Sequence, residues 1–517
     1  MPINGPKLDR PVDLAQLLTP SLRTKANDIA VVSLATRWTW RELDTASTGL
    51  AGNLLDFGLQ PGDRIASLMP NRAVLLVHYL ACVKAGLVAT PLNYRYTPPE
   101  IDYALEVSGA KALVAHAERD QDLAKSEQVG QLALGVIRFD AEKSDGPSLE
   151  NLIESEPPKA PLPQISSGSP ICIFFTSGST GKPKGVTHTF EGMGWILGNC
   201  IGGYELRPAD VVLPAVSASQ IGGYVLSLSA LAVGARVSMA RTIDPDELLA
   251  LLRTEHPTVM VMLPTAAIAL VRDRAATHDD FKSLRYCVSG GDSVTLELDR
   301  EFKELAGQDI LEGYGMTETG LMYLNPPSGI NKIGSVGTPN PGMDASVRDP
   351  DGNEVPVGTT GRLWVRSRGN TIGYWNNPGA TKEAILDGWL DTGDAMSVDA
   401  DGYFWFRGRM KQIIVHDGSN ISPQEVEDVL MQHDAVDLAG IVGVHNPVHG
   451  ENVAAYVTIK PDMARPAAQE LIQFARERIG YKAPETIVYL DVMPMNATGK
   501  IDRVTLKRWA QEANGGS

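Results

Sequence analysis

The sequence predicts an α/β protein built in two parts, and three observations carry that reading. Short apolar runs alternate with helical-period stretches through most of the chain, the pattern of sheets covered by helices. The 517 residues exceed what one core organises, since chains beyond about 250–300 residues usually divide. After Gly408-Arg409-Met410-Lys411 the chain restarts as an α+β unit of about a hundred residues, an ordinary domain size.

Residues 73–83 place Val74, Leu75, Tyr79, Leu80 and Val83 on one helical stripe, and residues 86–91 turn into the next element. Ala112-Leu113-Val114 reads as a buried strand. Residues 210–214 and 259–263 read as strands, each closed by a proline. A polar stretch rich in Pro and Ser, residues 154–169, reads as a surface connection before a strand at 171–175. Tyr403-Phe404-Trp405-Phe406 reads as the last strand of the large part. In the small part, Ser422-Pro423-Gln424-Glu425 supplies an N-cap serine, a proline at the first helical position and a glutamate at the third. That pattern is a capping box. Strands are expected at 440–444, 453–459 and 487–490, with a helix at 467–479.

Composition narrows the function. The chain is 43% hydrophobic and 21% charged, as folded globular proteins are. A net charge of -16 argues against a nucleic-acid surface, which normally carries a basic excess. An acidic protein that binds anions must concentrate donors and cations locally. Cys82, Cys172, Cys200 and Cys287 form no CxxC pair and match no zinc spacing. They read as small buried residues of a reduced, cytoplasmic protein. The apolar windows 73–92 and 224–237 are broken by His78, Lys84 or Gly234 and fall short of the ~20 apolar residues of a membrane span. Residues 1–7 lack the apolar core of a signal peptide.

Four segments carry chemistry. Thr176-Ser177-Gly178-Ser179-Thr180-Gly181-Lys182-Pro183-Lys184-Gly185 follows an apolar strand and holds three glycines, four hydroxyls and two lysines. Backbone N–H groups and hydroxyls in such a loop can cradle phosphate. The spacing matches neither a Walker A loop nor a nucleophile elbow. A plain surface loop would not need so dense a set of donors. Glu312-Gly313-Tyr314-Gly315-Met316-Thr317-Glu318-Thr319 sets an aromatic ring, a hydroxyl and a carboxylate beside glycines. The ring can stack on a flat base, and Mg²⁺ takes one or two carboxylates together with substrate phosphates. Read alone, Glu318 would be a solvated turn residue. Gly388-Trp389-Leu390-Asp391-Thr392-Gly393-Asp394 presents carboxylates from a glycine turn, which suits either ribose hydroxyls or a simple Asx turn. Pro494-Met495-Asn496-Ala497-Thr498-Gly499-Lys500-Ile501-Asp502-Arg503 places one lysine in a tight turn near the C-terminus.

In this order, the four segments resemble the signature motifs of the adenylate-forming superfamily: acyl-CoA synthetases, peptide-synthetase adenylation domains and luciferases. The likeness covers nearly the whole chain and is strongest to an acyl-CoA synthetase. It implies a large N-terminal domain, 1–408, of several subdomains with mixed sheets flanked by helices. A hinge at 409–411 and a small mobile α+β domain at 412–517 would follow. It implies ATP, Mg²⁺ and coenzyme A as cofactors and co-substrate, a small carboxylic acid as substrate, no nucleic acid and no membrane span. A homodimer is compatible with it.

The same likeness implies roles residue by residue. Thr176, Ser177, Gly178, Ser179, Thr180, Gly181 and Lys184 would hold phosphates. Gly290, Gly291 and Asp292, in Ser289-Gly290-Gly291-Asp292, would border adenine, with Tyr314 and Gly315. Thr317 would contact the α-phosphate and Glu318 would hold Mg²⁺. Asp394 and Arg409 would take the ribose, Lys411 would be the hinge, and Gly418 would border the CoA channel. Lys500 would be catalytic. In adenylation a carboxylate attacks the α-phosphorus as pyrophosphate leaves, and one ammonium can bridge both anions. Gln220, Ile221, Gly222 and Met316 would line the acyl pocket, with Gly223 leaving volume and Met322 adding an apolar wall. Gln220 stands where many relatives carry His, and glutamine cannot take a proton. The stretch holds no Asp to pair a substrate ammonium, which disfavours amino acids and leaves fatty, alicyclic or aromatic acids. Loading of a carrier-protein pantetheine and a non-catalytic nucleotide-binding protein are the alternatives.

Overall fold

The computed structural model describes residues 3–33, 36–141, 146–156, 158, 160–176, 183–241, 244–291, 294–416, 419–446, 450–496 and 500–514. Among them the strands form four sheets. In one, five neighbouring parallel strands run from Pro170–Thr176 through Val88–Pro91, Arg64–Leu68 and Ala112–His116 to Val136–Phe139. Lys184–Thr189 and Gly373–Tyr374 extend its other edge antiparallel. The second sheet aligns Ile310–Met316, Tyr286–Gly290, Val259–Met262, Val211–Ala215, Arg236–Ser238 and Ile29–Ser33 in parallel. The third is antiparallel and contains Asp344–Arg348, Gly361–Arg366, Trp389–Val398 and Phe404–Arg409. Every strand of the fourth lies after Gln412, with Val436–Asn446 and Gly450–Ile459 at its centre.

The helix Ala73–Ala85 is buried at every position except Lys84, so the five-residue stripe understates it. Being apolar on all sides, it suits a place with packing on all sides. Lys84 itself reaches Asp44, Ser47 and Thr48 at 2.7–2.8 Å. The strand Val211–Ala215 runs past Pro214, which the sequence takes as its end. Its neighbour on one side pairs only with Val211 and Val212, so beyond that point no donor is demanded of the proline on that side.

The C-terminal unit has its own core. Helices Pro423–Leu430 and Ala468–Ile479 pack on one face of its sheet through Val426, Leu430, Leu471 and Ala475. Helix Arg503–Asn514 covers the other face through Leu506 and Ala510. The capping box expected at Ser422 is only half made. The Ser422 hydroxyl accepts from the Glu425 N–H at 3.3 Å, whereas the Glu425 carboxylate turns to Lys482 at 2.7 and 2.9 Å. A charge partner outcompetes a neutral backbone donor. Among the described residues no helix is long and apolar enough to cross a membrane.

Candidate active site

The parallel strands of the second sheet end at one edge. Gln220 follows the first of them, Gly290 and Gly291 close another, and Tyr314 to Met316 close a third. Open α/β sheets bind ligands at such carboxyl ends. Gly290 faces the neighbouring strand, where a Cβ would lie 2.7 Å from the Gly313 carbonyl oxygen. Gly291 has φ +84°, open to glycine at no steric cost. The strand Ile310–Met316 folds back antiparallel onto Gly320–Leu324 with a bulge at Tyr314/Gly315. A Cβ on Gly315 would lie 2.4 Å from the Gly320 carbonyl oxygen, so the bulge requires glycine. The tight return presents Thr317 and Glu318.

Three sheets meet there. Glu318 is buried, and its Oε1 accepts from the Tyr374 hydroxyl at 2.9 Å. Burial raises its carboxyl above the usual range, opposed by the Tyr374 hydroxyl and by the charges of Arg409 and Lys184. The Lys184 ammonium lies 4.8 Å from the Tyr374 ring centroid. The main chain of Glu318 is tied as well, its carbonyl accepting from the Thr371 N–H at 2.7 Å. His188, fully buried, sits 2.8 Å through Nε2 from the Thr317 carbonyl oxygen. Burial lowers it to about 4, so the ring is neutral at pH 7 and Nε2 must carry the donated proton. His188 therefore fixes the main chain that displays Thr317.

Trp389–Val398 and Phe404–Arg409 pair with Asp394 opposite Arg409. Arg409 Nε reaches Asp394 Oδ1 at 2.9 Å, and the Tyr314 hydroxyl donates to Asp394 Oδ2. Asp394 is 0% exposed. Burial raises its carboxyl, and Arg409, Tyr314 and then Lys500 oppose that rise. Asp391 makes the simple turn, its Oδ1 accepting from the Gly393 N–H at 3.0 Å. Lys500 is exposed, in a turn closed by the Asn496 N–H to the Lys500 carbonyl at 2.8 Å and the Asp502 N–H to the Pro494 carbonyl at 2.8 Å.

Of the remaining expected residues, Ser177, Gly178, Ser179, Thr180, Gly181, Asp292 and Gly418 lie outside the described residues. Thr176 ends the strand that precedes the hydroxyl-rich segment and pairs with Lys184, which follows that segment. Lys411 lies in the single 3-10 turn Met410–Gln412. Gln220 is the exposed N-cap position of helix Ile221–Val233, and Gly222 faces open space. Two acyl-pocket readings need correction. A Cβ on Gly223 would lie 2.4 Å from the Ser217 carbonyl oxygen, so that glycine serves packing and not ligand volume. Met322 is 0% exposed inside the core beside Tyr323 and forms no wall. The four thiols are buried, and burial raises each one, Cys200 to about 12, which makes them inert.

Sequence reasoning misses His188, Thr371 and Tyr374. Their partners lie 129, 53 and 56 positions away, at Thr317, Glu318 and Glu318, and no local pattern announces a contact of that kind. The only sequence signal is position: His188 lies on the strand that leaves the hydroxyl-rich loop.

The sheet frame is that of an adenylate-forming enzyme, and the chain belongs to the AMP-binding enzyme family. The family model for AMP-binding enzyme matches residues 18–375, and the model for the AMP-binding enzyme C-terminal domain matches residues 425–500. The chain is 33% identical over 493 residues to a feruloyl-CoA synthase of Amycolatopsis sp, covering 94% of this chain and 96% of that protein. It is 30% identical over 535 residues to a long-chain-fatty-acid–CoA ligase of Yersinia pestis, covering 96% and 94%. The structure resembles ATP-bound MatB from Rhodopseudomonas palustris with a TM-score of 0.88 at 27% identity, covering 97% and 99% of the two chains. Against apo MatB the TM-score is 0.79.

Proposed function

We infer that the chain is an ATP-dependent carboxylate–CoA ligase: acid and ATP give acyl-AMP and pyrophosphate, then acyl-AMP and CoA give acyl-CoA and AMP. One observation carries the assignment of residues. Glu318 follows strand Ile310–Met316, and Tyr314 on that strand donates to Asp394, which Arg409 reaches from the opposite strand. Asp394 and Arg409 hold the ribose, exchanging the Tyr314 hydroxyl for ribose hydroxyls, and the Tyr314 ring packs on adenine. Thr176 and Lys184 hold phosphate, and Thr317 contacts the α-phosphate. Lys500 bridges the attacking carboxylate and the α-phosphate, which lowers the barrier as charge shifts between two anions. The closer likeness to ATP-bound than to apo MatB supports reading this arrangement as the adenylating one. Residues 1–408 then form the stationary domain, 409–411 the hinge and 412–517 the moving one.

Burial of the Glu318 carboxyl is offset only in part by the Tyr374 hydroxyl and the charges of Arg409 and Lys184, and a buried carboxylate is costly until a cation completes it, so Glu318 fits a divalent ion. Among the described residues no group of three or more His, Cys, Asp and Glu gathers as a metal cluster, so Mg²⁺ here would rest on Glu318 and substrate oxygens. Bound there, it would neutralise phosphate charge.

The acid is apolar in its acyl or aryl part. Gln220, Ile221, Gly222 and Met316 supply no charge to meet an ammonium, and the likeness to feruloyl-CoA and long-chain-fatty-acid ligases runs the same way. The buried, unpaired thiols support a cytoplasmic location. A panel of fatty, alicyclic, aromatic and amino acids, screened for acid-dependent AMP release with CoA, tests the reading. Mass spectrometry of the acylated thiol, with CoA and a pantetheinylated carrier protein both supplied, must find the acyl group on CoA. Acyl transfer to the carrier alone, or release with amino acids only, contradicts it.

A further inference from the structure

We propose that Glu427 is a positioning residue for Lys500, acting through Arg503; the proposal rests on Lys500 serving adenylation. Glu427 stands on helix Pro423–Leu430 with its side chain 3% exposed. Arg503 engages it with both arms of the guanidinium fork, Nη2 on Oε2 and Nε on Oε1 at 3.3 Å. The Ile441 N–H donates to Oε1 at 2.8 Å, so the carboxylate is held from two directions. Burial raises this carboxyl to about 7, and Arg503 opposes the rise.

Arg503 lies three positions beyond Lys500 and opens helix Arg503–Asn514. Between them the chain is tightly closed: Met495 bridges Ile501, the Asp502 N–H donates to the Pro494 carbonyl, and the Arg503 N–H donates to the Ile501 carbonyl. Lys500 and Arg503 therefore share one closed stretch of backbone, so where Arg503 is anchored bears on where Lys500 stands. The helix that bears Glu427 also packs against strand Phe404–Arg409, where Gly408 approaches Ser422 and Pro423. A continuous path results, from the strand carrying Arg409, through the helix, Glu427 and Arg503, to Lys500. A buried ion pair contributes little net stability compared with apolar packing. A bidentate fork does fix direction, and a catalytic group misplaced by about 1 Å can lose about 10²-fold in rate. The pair is thus suited to registering the lysine turn against the nucleotide cradle.

The test measures the two half-reactions of the full chain separately, with the acid that gives most AMP release. Adenylation is read as carboxylate-dependent ATP–pyrophosphate exchange, and the second step as thioester formation from the matching synthetic acyl-AMP and CoA. Glu427→Gln keeps the shape and the acceptor for Ile441. It should lower the adenylation kcat about tenfold or more, with KM for ATP and the thioester step changed less than about twofold. Arg503→Lys, which keeps the charge without the fork, should lose less in the same step, and it carries the test if Glu427→Gln does not fold. In a Lys500→Ala background, Glu427→Gln should change the residual exchange no further, an outcome that a merely structural role does not produce. Equal loss of both half-reactions, or a further loss on top of Lys500→Ala, overturns the proposal. Unimpaired adenylation by Lys500→Ala overturns the underlying reading of Lys500, whatever Glu427→Gln does.

Discussion

Asp394 and Lys500, the opposite charges proposed for one site, are held by opposite structural means. Asp394 sits in a sheet ladder, wholly buried, with Arg409 opposite it and the Tyr314 hydroxyl against it. Lys500 is exposed on a turn of a unit that has its own sheet and two cores of its own. A group that must hold a ligand throughout both steps gains from being locked by long-range pairing. A group needed in one step gains from riding on a body that can move without unfolding. The contrast predicts which substitutions damage both half-reactions and which damage one.

The largest one-sided effect falls on Lys500. Lys500→Ala should slow ATP–pyrophosphate exchange by about 10²–10³, while thioester formation from synthetic acyl-AMP stays within a few-fold. Asp394→Asn should instead slow both half-reactions, by about 10–10² each, since it leaves Arg409 without its carboxylate and weakens the nucleotide in each step. Confinement of that loss to adenylation would erase the contrast.

The next effect tests the connection between the two regions. Arg409 is extended, with φ -83° and ψ 133°, and Met410 begins the 3-10 turn. Proline suits the first position of such a turn after an extended residue. Met410→Pro should therefore preserve this arrangement and leave adenylation within about threefold, yet slow thioester formation about tenfold by restraining the hinge. Proline at Lys411 is a poorer probe, because it disfavours the helical conformation of Met410 that precedes it.

The smallest effect concerns stability on the cradle side. His188 is held at about 4 by burial, below the ordinary value of about 6.5. As pH falls from 6.5 toward 4, the unfolded chain gains a proton there and the folded chain does not, so stability is lost in that window. Glu312 and Glu427, both raised to about 7, act in the opposite sense and mask the slope of the whole protein. The difference between wild type and His188→Gln isolates the histidine. The wild-type advantage should shrink by on the order of 1–2 kcal/mol between pH 7 and pH 5, measured by urea unfolding. An advantage independent of pH would mean that His188 takes up its proton as readily in the fold as in the unfolded chain.

Much of the architecture is legible in the sequence because it is local. Alternating apolar runs mark strands such as Ala112–His116, and Ser422-Pro423 marks the start of a helix. The polar motifs mark the places where side chains gather, since Tyr314, Glu318, Asp394 and Arg409 all come together in the fold. What escapes is the pairing between distant positions. Glu427 reads as one more polar residue on an amphipathic helix until Arg503, 76 positions later, closes on it. Glu425 reads as a cap until Lys482, 57 positions later, captures it. Tyr374 has no motif of its own, and its importance lies in the carboxylate it touches. Gly223 and Met322 show the converse, residues whose type suits a pocket but whose neighbours fill the space.

We expect a lysine of the C-terminal unit and the buried carboxylates of the large domain to close on one nucleotide from opposite sides. A crystal structure with a non-hydrolysable ATP analogue and the preferred acid tests it most directly. It should show ribose at Asp394 and Arg409, phosphate beside Glu318, and the Lys500 Nζ about 3 Å from both the α-phosphate and the acid's carboxylate. A nucleotide bound elsewhere, or one that meets Asp394 while Lys500 stays out of reach with the acid in place, would contradict it.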